Sequence, residues 1–249
     1  MFLIFLAFLS STANAATITV EPDEYDHSSL QSAIDEASPG DLIVVSDGIY
    51  HENVDLNKPL TLRGMGSKER PVLDAGGKGP AITISSDGIA IEGLVVTNSS
   101  DSGILVNSDD NVIFGVLALD NEYGGIRLEG ANNNTVADNN VSHNGAAGIE
   151  LEDSRQNRIL FNTANENADT GIELEEASDN LIESNSVYKS GNDRIELKGS
   201  KNNRILANHV TGNMHGLCLE LCSDGNKNLT TTPAITISAG SSSGAPTTT

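Results

Sequence analysis

The chain has 249 residues, with 35 Asp and Glu against 14 Lys and Arg, a net charge of −21 and no Trp. The charge excludes a nucleic-acid binder, because a phosphate backbone needs a basic footprint and the composition offers none. No apolar run reaches the roughly 18 residues of a membrane-spanning helix, and 4% aromatics with 24 Gly argue against a core of large side chains.

Residues Phe2 to Leu9 form a short apolar run, and Ala13-Asn14-Ala15 supplies the small residues of a cleavage site. Residues 1–15 are therefore expected to be a signal peptide, which makes the mature chain secreted, periplasmic or attached to the cell surface. Next, Ser28 to Ala37 has the pattern of a short helix. Ser28 and Gln31 form a capping box, while Leu30, Ala33, Ile34 and Ala37 share one face. Such a helix would cover the open apolar end of a solenoid, which needs a cap.

A repeat follows. A Gly-Ile step begins at Gly103, Gly125, Gly148 and Gly171, and Arg194-Ile195 and Gly216-Leu217 continue it at spacings of 22 or 23. Val106, Leu128, Leu151, Leu174, Leu197 and Leu219 keep the same phase, which is strand-like alternation. Asn is stricter still. Asn111, Asn134, Asn157, Asn180, Asn203 and Asn226 recur every 23 residues. Asn139, Asn162, Asn185 and Asn208 form a second ladder. Asn98, Asn121, Asn144, Asn167 and Asn213 form a third, with Ser190 in its gap. Strands of one coil lie about 4.8 Å from those of the next. An Asn at a bend tolerates left-handed backbone and can bond the main chain or the same Asn one coil on. The fold expected is all-β, a right-handed parallel β-helix of about eight coils over residues 16–229, regular over 103–228. Residues 230–249, rich in Thr and Ser, read as a tail or linker.

The leader SLQSAIDEASPGDLIVVSDGIYHENVDLNKPLTLRGMG and the repeat GIELEDSRQNRILFN resemble the NosD-type β-helix proteins. These belong to the carbohydrate-binding and sugar-hydrolysis group of parallel β-helix repeats. The resemblance covers about Ser28 to Asn228 and implies the fold. Because the group mixes enzymes and binding modules, it leaves the activity open. Its namesake is linked to periplasmic copper delivery to nitrous oxide reductase, which implies a copper role. Gly48, Tyr50 and Glu52 also resemble pectinesterases, but that family's catalytic Gln, paired Asp and Arg segments have no counterpart, and an epimerase-like Asp-Pro-His motif is missing.

Two groups of residues are candidate sites. Stacking puts Glu150, Glu173 and Glu196 in register on an outward strand face, with Glu152 and Glu175 beside them. Like charges one rung apart repel at a cost of about 1 kcal/mol at a wet surface, so this row is a candidate calcium stripe as well as a solvated surface. Nothing in the sequence marks one of these carboxyls as desolvated. His143, Tyr188 and His209 stand apart from the row. Met214, His215, Cys218 and Cys222 form a soft donor set suited to copper, or a disulfide, or two surface thiols. Three functions remain open: a non-catalytic module binding a polysaccharide, other glycan or cell-surface component; a polysaccharide lyase, hydrolase or epimerase; and copper handling.

Overall fold

A computed structural model describes residues 15–22, 29–65, 69–191, 195–211, 217–220 and 223–228. The expected signal peptide before Ala15, the tail from 229 onward, and Met214, His215 and Cys222 lie outside the described residues. Three faces of parallel strands stack into a right-handed parallel β-helix of about eight coils. The first face has ten strands, from Thr17–Val20 at one end to Lys227–Asn228 at the other. The second has eight, from Val54–Leu56 to Leu217–Glu220. The third is built of a four-stranded and a two-stranded sheet, joined by single bridges from Leu117 through Asn140 and Thr163 to Ser186.

Between strands from Ile82 onward every pairing is in a 22–23-residue register, so like residues stack on like, whereas the first coils are less regular, with spacings from 19 to 29. Ile104, Ile126, Ile149, Ile172 and Ile195 form one buried column. Ile113, Val136, Ile159, Ile182 and Ile205 form another from the first face. These thin aliphatic stacks are the core, which is why Trp is dispensable. The Gly of the Gly-Ile step serves close approach of successive coils. A Cβ on Gly148 would lie 2.7 Å from the Gly171 carbonyl oxygen and 2.6 Å from the Asn167 amide nitrogen.

The ladders are buried and bonded as a repeating pair. The side-chain oxygen of each Asn accepts the backbone N–H of its predecessor, as Asn157 does from Asn134 and Asn180 does from Asn157, both at 2.8 Å. The amide nitrogen donates to a carbonyl 26 residues earlier, as Asn157 does to Ala131 at 2.8 Å. The expectation that these Asn are themselves left-handed is corrected. The residue just before the ladder position takes that backbone, with φ between 48° and 61° at non-glycine positions. Gln156 precedes Asn157, Phe161 precedes Asn162 and Glu166 precedes Asn167. Asn98 is accordingly out of phase: it is the exposed left-handed residue, and Ser99 takes the ladder position, its N–H donating to Asn121. A fourth ladder is made of Ser at several of its rungs, among them Ser154, Ser200 and Ser223. Ser154 and Ser200 accept the N–H of Ala131 and Ala177 and donate to Leu128 and Leu174.

The helix spans Leu30–Glu36 and lays Leu30, Ala33 and Ile34 over the first coils. Its cap differs from the expected box. Ser29 is the N-cap, its hydroxyl accepting from the Ser32 N–H. Gln31 turns instead to Asp35 and to the backbone of Asp55. The free helix N–H groups are taken by Glu52, whose carboxylate accepts from Leu30 at 2.7 Å and Gln31 at 3.2 Å. Tyr50 donates to the Val20 and Ser46 carbonyl oxygens. Glu52 thus holds the helix cap, while Tyr50 ties the first strand to the turn at Ser46. Glu52→Ala should cost about 1–2 kcal/mol, the scale of a lost cap with charged hydrogen bonds. Urea unfolding checks this, and an unchanged midpoint would mean that water replaces the carboxylate.

Candidate functional site

The second face alternates Ile-Glu-Leu-Glu over Ile149–Glu152 and Ile172–Glu175, so aliphatics turn in and carboxylates out. Register builds one outward column of Leu105, Arg127, Glu150, Glu173, Glu196 and Cys218. A second column runs Glu129, Glu152, Glu175 and Lys198. The structure brings together the five predicted carboxylates, as expected, but corrects their setting. Glu150, Glu173 and Glu196 are 6%, 8% and 7% exposed. This is a sheltered row rather than a wet stripe.

Two cations lie within the row and offset part of its charge. Lys198 Nζ lies 2.6 Å from Glu173 Oε1 and 3.2 Å from Glu196 Oε2. Burial pulls the Lys198 ammonium down, but its bonds and charges with Glu173 and Glu196 outweigh that and raise its pKa. Arg127 donates to Glu152 and sits 3.7 Å from both Glu150 and Glu129. The Tyr123 ring covers the guanidinium at 5.9 Å.

Glu150 is the least compensated member. Its Oε2 is buried with no hydrogen-bond partner. Burial raises its pKa, Arg127 only partly opposes this, and Glu173, Glu152 and Glu175 push further the same way, to about 7. The sequence carried no sign of this desolvation. Alternation predicts a side chain's direction, whereas its desolvation depends on what its neighbours' lengths cover.

Cys218 shares the Glu196 column as expected of an outward residue, yet it is 3% exposed, so it is not a surface thiol. His143 lies at the bend between third and second faces, left-handed and 3.6 Å from Glu166. Both line an open cavity of about 480 Å³ with Asp120, Glu122 and Asn144. That corner is separate from the acidic row and was not signalled by any motif. Among the described residues, no three His, Cys, Asp or Glu side chains converge to hold a metal ion.

Residues 34–231 match the family model described as periplasmic copper-binding protein (NosD). A "Cell surface glycoprotein" of Methanothermus fervidus is 30% identical over 110 residues, which is 43% of this chain but 18% of that protein. The chain thus spans under a fifth of that relative. Among solved structures, pectate lyase Pel9A superposes with a TM-score of 0.72 at 16% identity, covering 91% of this chain and 78% of the other. An alginate lyase from Paenibacillus sp. gives 0.65 at 17% identity, covering 89% and 97%. The mannuronan C-5 epimerase AlgE6 A-module of Azotobacter vinelandii gives 0.63 at 15%, covering 76% and 59%. At these identities the superpositions establish the fold alone. The family model, matching most of the chain, establishes more: the chain belongs to the NosD family of parallel β-helix proteins.

Proposed function

We propose that the chain is an exported, non-catalytic β-helix module that binds an extended glycan along its strand faces. The observation that carries this reading is the register. Each face is a run of rungs about 4.8 Å apart, close to the advance of one sugar ring in an extended chain, so side chains repeat in step with a polymer. The name of the cell-surface relative and the polysaccharide-acting structural neighbours support a glycan as the partner. The setting of the acidic row argues against chemistry there. A general acid or base must reach the bond it acts on, and Glu173 and Glu196 are sheltered and held by Lys198. The test is incubation of the full chain with neutral and acidic polysaccharides. Retention without new reducing ends or unsaturated uronates is expected. Release of either product would make the protein an enzyme, and retention of no glycan would remove the reading.

Calcium on Glu150, Glu173, Glu196, Glu152 and Glu175 would have to displace Arg127 and Lys198, which already lie within ion-pair distance of four of those carboxylates. Millimolar calcium should leave the melting temperature unchanged at neutral pH, and a clear rise would return the row to cation binding.

The family's own description favours a second reading, copper held by Met214, His215, Cys218 and Cys222. The pair Cys218→Ser with Cys222→Ser should then abolish copper uptake; uptake that persists would exclude these donors.

A further inference from the structure

The ten-stranded face carries an opposite chemistry on its outward side. Register stacks Thr135, Arg158, Leu181, Arg204 and Lys227 in one column. At the preceding bend Arg155 pairs with Ser178, whose hydroxyl accepts the Lys201 N–H at 3.2 Å. Arg155 and Lys201 therefore continue the same arrangement one column over. Arg155, Arg158, Lys201, Arg204 and Lys227 are all exposed, and they are five of the 14 basic residues of the chain.

Among the described residues none of the five makes an ion pair, in a chain with 35 carboxylates. Asp179 and Glu183 stand on the same coils without pairing to them, and Glu183 occupies the next outward column between Leu160 and Leu206. Leu181 lies between Arg158 and Arg204 in the first column, and Phe161, 50% exposed, stands at the far edge of the Arg158 strand. The face is thus a basic track bordered by apolar side chains. Composition excludes a basic footprint only on average; the fold gathers one.

We propose that this track binds an acidic polysaccharide, a refinement that rests on the glycan-binding reading. The acid groups meet Arg158, Arg204 and Lys227, and the C–H faces of the rings lie on Leu181 and Phe161. Arginine suits this role because its planar fork takes a carboxylate through two hydrogen bonds. The spacing suits it too. Arg158 and Arg204 are two rungs apart, as are Arg155 and Lys201, which is about 9.6 Å. In an extended chain whose successive sugars are flipped, groups on one side recur at every second sugar. A nucleic acid fits less well. Its charge density is high, about one charge per 1.7 Å in a duplex, against a molecule of −21 overall. Base stacking also calls for a row of aromatics, and the track has Phe161 alone.

The experiment is affinity electrophoresis of the full chain in gels containing polygalacturonate, alginate or neutral dextran, with single-stranded DNA as a fourth gel. Wild type should be retarded by the polyuronates, with retardation falling steeply as salt screens the track. Arg158→Glu with Arg204→Glu should weaken this at least about tenfold, or about 1.4 kcal/mol, at an unchanged melting temperature. Lys78→Glu, the same charge change at an exposed lysine away from the track, should leave it unaltered. Retardation by dextran but not by polyuronates would overturn this proposal and keep glycan binding. Retardation in none of the carbohydrate gels would remove both. Stronger retardation by DNA, or full polyuronate binding by the double variant, would also overturn the track as the acidic-polysaccharide site.

Discussion

Asn157→Ala is expected to lower the unfolding free energy by about 2–4 kcal/mol. Asn157 is fully buried, and its side chain ties its own coil to the preceding one through two bonds. It accepts the Asn134 N–H and donates to the Ala131 carbonyl. Alanine leaves both backbone groups buried without partners, at about 1–3 kcal/mol each. The substitution also strips the bond that holds the bend after the left-handed Asn133, one coil earlier. Asn157→Ser should recover part of the loss. Ser154 and Ser200 already perform the same accept-and-donate role in the Ser ladder. Urea unfolding followed by circular dichroism measures all three chains. If Ala costs less than about 1 kcal/mol, or if Ser is no better than Ala, the ladder is not what satisfies these groups.

The second large effect is on pH dependence. Glu150 titrates at about 7 in the folded chain, against an ordinary 4.5. Between those values the unfolded chain has released the proton and the folded chain retains it. Stability from this group is therefore fully present below about 4.5, falls as pH rises, and is lost once pH passes about 7. The displacement corresponds to roughly 3 kcal/mol. Glu150→Gln keeps the shape and the neutral state, so its stability should be flat across that window and exceed wild type at pH 8 by a similar amount. Lys198 does not confuse the test. Its raised pKa contributes stability that is lost only at high pH, above the ordinary lysine range. Parallel stability curves for wild type and Glu150→Gln would show that water reaches the carboxyl and that the row is open.

The two results together bear on function. The Glu150 carboxyl, between Arg127 and Glu173, holds its proton to about 7, as a general acid does. A stable, pH-flat Glu150→Gln variant that still binds glycan would assign that group to packing. Loss of a chemical activity in the same variant would assign it to catalysis.

The sequence by itself determined the coil. A column of identical residues at 23-residue spacing is visible without coordinates, because stacked rungs put chemically equal demands on equal positions. The aliphatic columns and the Asn ladders were legible for that reason, and so was the direction in which Glu150, Glu173 and Glu196 point. The left-handed position was not legible. Its side chain is largely free of packing, so Asp110, Gln156, Phe161 and Ala207 can all occupy it. Glu52 capping a helix that starts 22 residues earlier was hidden too, since only folding brings that carboxylate to Leu30. Tertiary structure alone decided which charges are screened. The same alternation that turns Glu150 and Arg158 outward leaves the first sheltered beside Arg127 and the second exposed and unpaired. Exposure is set by what lies on adjacent columns, and adjacency across columns is a property of the folded coil, absent from the order of residues.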